Sequence, residues 1–151
     1  MESEAKTDGV GIFVAEKWVD SVVSVERHSE RILVLKMVLG DRLLNVFTVY
    51  APHSGKPDEE KCFWNEVFHL VSCIPQNKIV VFAGDMNGHV RSSNVGYEGT
   101  HGGFGYGSRN ADGSRILEFR RWPKFSHLQH TVYETESQVG NICSWSGEKY
   151  S

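Results

Sequence analysis

The sequence predicts an α/β domain, and three observations carry that reading. Short apolar runs bounded by glycine or charged residues alternate with two stretches at helical spacing. The strand-like runs are hydrophobic almost without interruption, as suits strands buried on both faces. Their order, strands then helix, strand and helix, is that of a sheet covered by helices. With 151 residues, 40% of them hydrophobic, the chain is long enough for one domain with a core of its own.

The first strand is expected at Val10 to Val14, opened by Gly9 and Gly11, and a second at Val22, Val23 and Val25. Ile32 to Leu39 and Leu43 to Tyr50 are β-rich runs joined at Gly40-Asp41, a tight-turn dipeptide, so together they read as a hairpin. A helix follows. Pro57 suits a first helical position, Asp58, Glu59 and Glu60 favour the positive helix N-terminus, and Phe63, Val67, Leu70 and Val71 fall on one face before Pro75. Ile79 to Ala83 reads as a buried strand running into Gly84-Asp85-Met86-Asn87-Gly88. After a glycine-rich loop, Gly96 to Gly107, Asn110 is placed to cap a short helix through Arg115, Ile116, Leu117 and Phe119. Beyond Arg120 the pattern collapses: Trp122-Pro123 breaks the helix, and no period of either kind predicts a further element. No internal repeat is present.

Composition narrows the function. The net charge of −3 shows no global basic footprint for nucleic acid, yet an enzyme that meets phosphate through a divalent metal needs acidic ligands. No apolar run approaches the eighteen or so residues of a membrane-spanning helix. The polar start, Met1 to Gly9, does not resemble a signal peptide. Cys62, Cys73 and Cys143 are an odd set without metal-site spacing, so reduced thiols of an intracellular protein, nuclear or cytoplasmic, are expected rather than disulfides.

The strongest chemical signal is Val80-Val81-Phe82-Ala83-Gly84-Asp85-Met86-Asn87. A carboxylate and an amide two residues apart, past the carboxyl end of a buried strand, lie where α/β sheets place ligands. They point the same way if extended geometry persists, and Gly84 lets another group approach. An Asx turn leaving the strand accounts for the same residues equally well. Thr48-Val49-Tyr50-Ala51-Pro52-His53 is a second strand exit, where a Tyr hydroxyl can meet a phosphate or simply pack at the sheet edge. Gly103-Phe104-Gly105-Tyr106-Gly107 lacks both the spacing and the leading strand of a dinucleotide loop. His127 and His130 would need a helix to share a metal, and Glu134 with Glu136 reads as a solvated pair.

Taken in order, Gly9-Val10-Gly11-Ile12-Phe13-Val14, Tyr50-Ala51-Pro52, Gly84-Asp85-Met86-Asn87 and Arg109-Asn110-Ala111-Asp112-Gly113-Ser114-Arg115-Ile116-Leu117-Glu118-Phe119 resemble the endonuclease/exonuclease/phosphatase (DNase I-like) superfamily. Within it, they resemble the retrotransposon-type endonuclease domains often named craniofacial development protein 2-like. The resemblance covers residues 5–119. It implies a four-layer α/β sandwich, two packed sheets with outer helices, and Mg²⁺-dependent hydrolysis of a DNA phosphodiester. By motif, Asp85 would align or deprotonate the attacking water, Asn87 would contact the scissile phosphate, and Tyr50 would support that phosphate; His89, next after the motif, is either near substrate or, as the blander reading has it, a solvated loop histidine.

The chain also departs from that family. Members carry an Asn and a metal-binding Glu upstream of the stretch matching Gly9, and a closing Asp-His pair after an Asp-Tyr-Ile-type strand; neither is found here. After Phe119 members run Asn-Leu-Val-Ile-Cys-Asn-Thr, where this chain has Lys124-Phe125-Ser126-His127-Leu128-Gln129-His130-Thr131. Codons exist for the latter that encode the former when read from the second base, and the same shift turns Val139 to Cys143 into a Leu-Val-Thr-Tyr-Val type strand. The expectation is a partial endonuclease-type domain over residues 1–119 and an out-of-frame tail over 120–151, in which Ser144-Trp145 and the histidines have no inherited role. The copy is expected to be catalytically inactive. The alternatives are a non-catalytic fragment that binds DNA or protein, or an unstable, aggregation-prone product with one apolar sheet face uncovered. Oligomeric state stays open.

Overall fold

The computed structural model describes residues 9–53, 55–90, 95–96 and 108–122, together with the backbone of 132–134. A 3-10 turn, Glu16–Ser21, leads into β1 (Val22–Arg27), followed by β2 (Ile32–Leu39), β3 (Arg42–Tyr50), α1 (Pro57–Ser72), β4 (Ile79–Asp85), α2 (Ala111–Arg120) and β5 (Val132–Glu134). The strands form one sheet in sequence order. β1, β2 and β3 are successively antiparallel, whereas β4 runs parallel to β3, and β5 parallel to β4. The fold is α/β with a mixed sheet.

Local chemistry accounts for each boundary. The hairpin closes at Leu39 opposite Arg42, leaving Gly40 in the left-handed region (φ 63°) that its two-residue turn requires. Pro57 opens α1 with three acidic residues in the first turn, and the helix ends at Ser72 before Pro75. Asn110 caps α2 by accepting from the Gly113 N–H at 2.7 Å.

The core lies between the sheet and the two helices. Ile32, Val34, Phe47, Val49, Val80 and Phe82 meet Phe63, Trp64, Val67 and Val71 of α1 and Ile116 and Phe119 of α2. Phe47 and Phe82 are partners in the parallel register and stack with ring centres 4.8 Å apart; Phe119 sits edge-on to Phe82 at 5.2 Å.

Three expectations change. Val10 to Val14 forms no strand: the Val10 N–H donates to Glu30 O (3.1 Å) and Arg27 donates to Val10 O (2.7 Å), but Phe13 is fully exposed. An apolar run interrupted by glycine needs a partner edge to become a strand, and only Val10 finds backbone to bond. β3 is not buried on both faces as β2 is; Asn45, Phe47 and Val49 are buried while Leu44, Val46 and Thr48 are half-buried. Beyond Arg120, where no element is expected, residues 132–134 pair with Phe82, Ala83 and Gly84 of β4. A parallel edge rewards backbone pairing whatever the side-chain period.

The glycine-rich loop from 97 to 107, His127, His130, Cys143, Ser144, Trp145 and Glu136 lie outside the described residues. Cys62 and Cys73 are free, exposed thiols. No helix among the described residues is long and apolar enough to cross a membrane.

Candidate phosphate site at the strand exits

β3 and β4 are adjacent and parallel, so their carboxyl ends emerge side by side, and the register sets Tyr50 directly beside Asp85. Two motifs 35 positions apart in the chain thus become neighbours. The link continues past the strands: the Ala51 N–H donates to Asp85 O at 2.8 Å.

Asp85 and Asn87 are not related by extended alternation. Asn87 lies in the left-handed region (φ 50°), and its N–H donates to Asp85 Oδ1 at 2.8 Å, closing an Asx turn. The Asn87 side chain then reaches across to the other loop, its Nδ2 donating to Ala51 O at 2.6 Å. The turn is therefore what gathers the residues. One Asp85 oxygen serves that turn, and one Asn87 amide hydrogen holds the Ala51 carbonyl. Gly84 also has a different use from the one expected. Its φ is 139°, and a Cβ there would stand 1.9 Å from Val49 O, so the close approach it permits is that of β3 itself.

Tyr50 is half-buried, and its hydroxyl shares a hydrogen bond of 3.1 Å with His53 Nε2. Arg31 lies over the Tyr50 ring, 5.5 Å from its centre, and ion-pairs with Glu59 at 3.2 Å. The Lys56 ammonium, with Arg31 beyond it, holds the Glu59 carboxyl below the usual carboxylate range. Read from the sequence, Arg31 is passed over and His53 stands in the strand-exit motif without a role. Arg31 was within reach of hairpin arithmetic: each β2–β3 pair steps outward from Gly40-Asp41, which brings Arg31 opposite Tyr50, and the Tyr50 N–H donates to Arg31 O at 2.9 Å. His53 had only its spacing from Tyr50 to mark it.

His89 is exposed. Its N–H donates to Asn110 Oδ1 (3.0 Å) and its carbonyl accepts from the Asn110 N–H (3.2 Å), so its backbone is fixed by the cap of α2. Gly113 makes this possible, since a Cβ there would lie 2.0 Å from His89 O.

The Mg²⁺ that the family resemblance implies needs several oxygen donors brought together. Among the described residues no three His, Cys, Asp or Glu side chains are grouped so as to hold a metal. The described donor set does not fit a resident ion.

No family model matches the chain. It is similar to Craniofacial development protein 2 of Bos taurus, at 25% identity over 119 residues, 78% of this chain and 20% of that protein. It is similar as well to Craniofacial development protein 2 of Tragulus javanicus, at 24% identity over 119 residues and the same shares. This is distant homology, and the chain spans about a fifth of the length of the curated relatives it matches.

Proposed function

We propose that the chain carries the phosphate-facing part of a DNase I-like, retrotransposon-type endonuclease domain, and that these 151 residues alone do not cleave DNA. The observation that carries this reading is the meeting of Tyr50 and Asp85 at one register position, with Asn87 tied across to Ala51. Distant homology to Craniofacial development protein 2 supports it. In this reading the phosphodiester lies across the exits of β3 and β4. The Tyr50 hydroxyl and the second amide hydrogen of Asn87 donate to its oxygens, Asp85 orients a water, and the exposed His89 ring flanks the substrate. The described donors do not neutralise a pentavalent phosphate, so charge stabilisation of the transition state is missing among the described residues. A second sheet of a four-layer sandwich would lie against the face of the sheet opposite α1 and α2.

The test is incubation of the purified chain with supercoiled plasmid and Mg²⁺, beside Asp85→Ala. Nicking at background is the expected result. Nicking above background that Asp85→Ala abolishes would overturn the inactive reading.

We further propose that residues from about 120 onward are an out-of-frame translation. The underlying DNA, read in the alternative frame beyond the Phe119 codon, should encode a strand ending in an Asp-Tyr-Ile-like run. Stop codons or unrelated sequence there would refute the frameshift.

A further inference from the structure

Behind the strand exits, α1 and α2 are joined by a small ionic network that the proposed chemistry does not use. Glu60 of α1 and Asp112 of α2 are buried, at 8% and 5% exposure, and both carboxylates are met by one guanidinium, that of Arg115. Arg115 Nη1 donates to Glu60 Oε2 and lies 3.4 Å from Asp112 Oδ1. The other Glu60 oxygen, Oε1, accepts the Gly55 N–H at 3.2 Å. Glu60 thus holds the loop leaving β3 with one oxygen and α2 with the other.

The same helix α2 already grips the loop leaving β4 through Asn110 and His89. The two loops are stitched together at the front by Asn87 and Ala51. The Arg115–Glu60 pair closes a ring of contacts at the back: β3 exit, α1, α2, β4 exit, and β3 exit again. A buried acid satisfied by one charged and one backbone donor is costly to break, because removing a partner leaves polar atoms unpaired.

We propose that Glu60 and Arg115 are positioning residues: they set the β3-exit loop, and with it Ala51 and Tyr50, against the Asp85–Asn87 turn. The functional meaning of this role rests on the phosphate-site reading above, while its geometry can be tested without any ligand. Amide hydrogen exchange is measured on the free chain for wild type, Glu60→Ala and Glu60→Gln. Glu60→Ala should speed exchange of the Ala51 and Asn87 N–H groups by about tenfold or more, with the Val34 and Phe47 amides of the strand interiors unchanged. Glu60→Gln keeps an acceptor for only one of the two donors, Gly55 or Arg115, so its rates should fall between those of wild type and Glu60→Ala.

Uniform acceleration across the sheet would reduce Glu60 to a general stabilising residue, and unchanged rates at Ala51 and Asn87 would remove it from the site; either result overturns the proposal. Should Glu60→Ala not fold, Arg115→Met supplies the same comparison from the other end of the pair. A separate titration of wild type with inorganic phosphate keeps the two readings apart. Absence of shifts at Asn87 would count against the phosphate site, whereas the exchange pattern alone decides the positioning role.

Discussion

On one face of the sheet, Phe47 and Phe82 stack beneath α1 and α2, and Val67, Val71 and Val80 are wholly enclosed. On the other face, set by the alternate residues of the same strands, Leu33 and Leu35 are buried, but Val46, Val81 and Ala83 are half-buried. Val25, which pairs with Leu35, is 55% exposed. Thr48 lies on this second face, and its buried hydroxyl has no hydrogen-bond partner among the described residues. The fold is self-sufficient on the first of these faces. β2, β3, α1, β4 and α2 close a core among themselves, and the strand exits hang from that closed side through Asn110, Gly113 and Glu60. The site's scaffold therefore belongs to the finished face.

Injury to each face in turn should have unequal effects. Phe82→Ala should cost about 3–5 kcal/mol in urea unfolding, since it empties the centre of the aromatic cluster. Val25→Thr on the opposite face should change stability by no more than about 0.5 kcal/mol while lowering aggregation. Equal losses would mean that the two faces are equally closed.

The next effect lies at the strand exits. Asn87→Ala removes the bond to Ala51 O and puts into the left-handed region a residue without the polar side chain that lets Asn tolerate it. A loss of about 2 kcal/mol in unfolding free energy is expected, and Asn87→Gly, which is free of the backbone cost, should lose about half of that. If the two variants were equal, the left-handed turn would carry no strain.

Thr48→Val is a smaller and opposite change. Replacing an unpartnered hydroxyl by a methyl of similar shape should leave stability unchanged or raise it by up to about 1 kcal/mol. A clear loss would mean that the hydroxyl is bonded after all, to water or to residues beyond those described.

The smallest effect is a pH dependence. Burial, and next the Glu60 carboxylate, raise the Asp112 carboxyl above its ordinary range, with Arg115 opposing. A raised folded value means that the stability linked to this group is fully present below the ordinary carboxylate range and falls as pH rises through the raised value. Asp112→Asn should lack this slope, so its thermal midpoint should gain on wild type as pH climbs from the acidic side of that window towards neutral. A wild type that instead gains on the variant over that interval would show that Arg115 outweighs burial.

Much of this architecture was legible in the chain. The Gly40-Asp41 turn, the Pro57 start and the Asn110 cap were readable because each acts within a few residues. So was the placement of Tyr50 and Asp85 at strand exits, because they end consecutive strands of a strand-helix-strand unit. What escaped was non-local. Nothing in Gly9 to Val14 says whether a partner edge exists, and the pairing of residues 132–134 with β4 depends on an available backbone rather than on a pattern. The Glu60–Arg115 link joins positions 55 apart. For Asp85 and Asn87, extended alternation was the wrong geometry, because a left-handed Asn reverses the direction of the chain at once.

We propose above that the exits of β3 and β4 face a phosphodiester. That proposal is tested most directly by titrating ¹⁵N-labelled protein with a short DNA duplex at low salt and following the Asn87 side-chain amide with the Ala51 and His89 N–H groups. The account expects shifts concentrated at these three residues, weakened by added salt as phosphate contacts are, and absent at Val25 on the open face. Shifts that spare Asn87 and gather on the open face instead would contradict it.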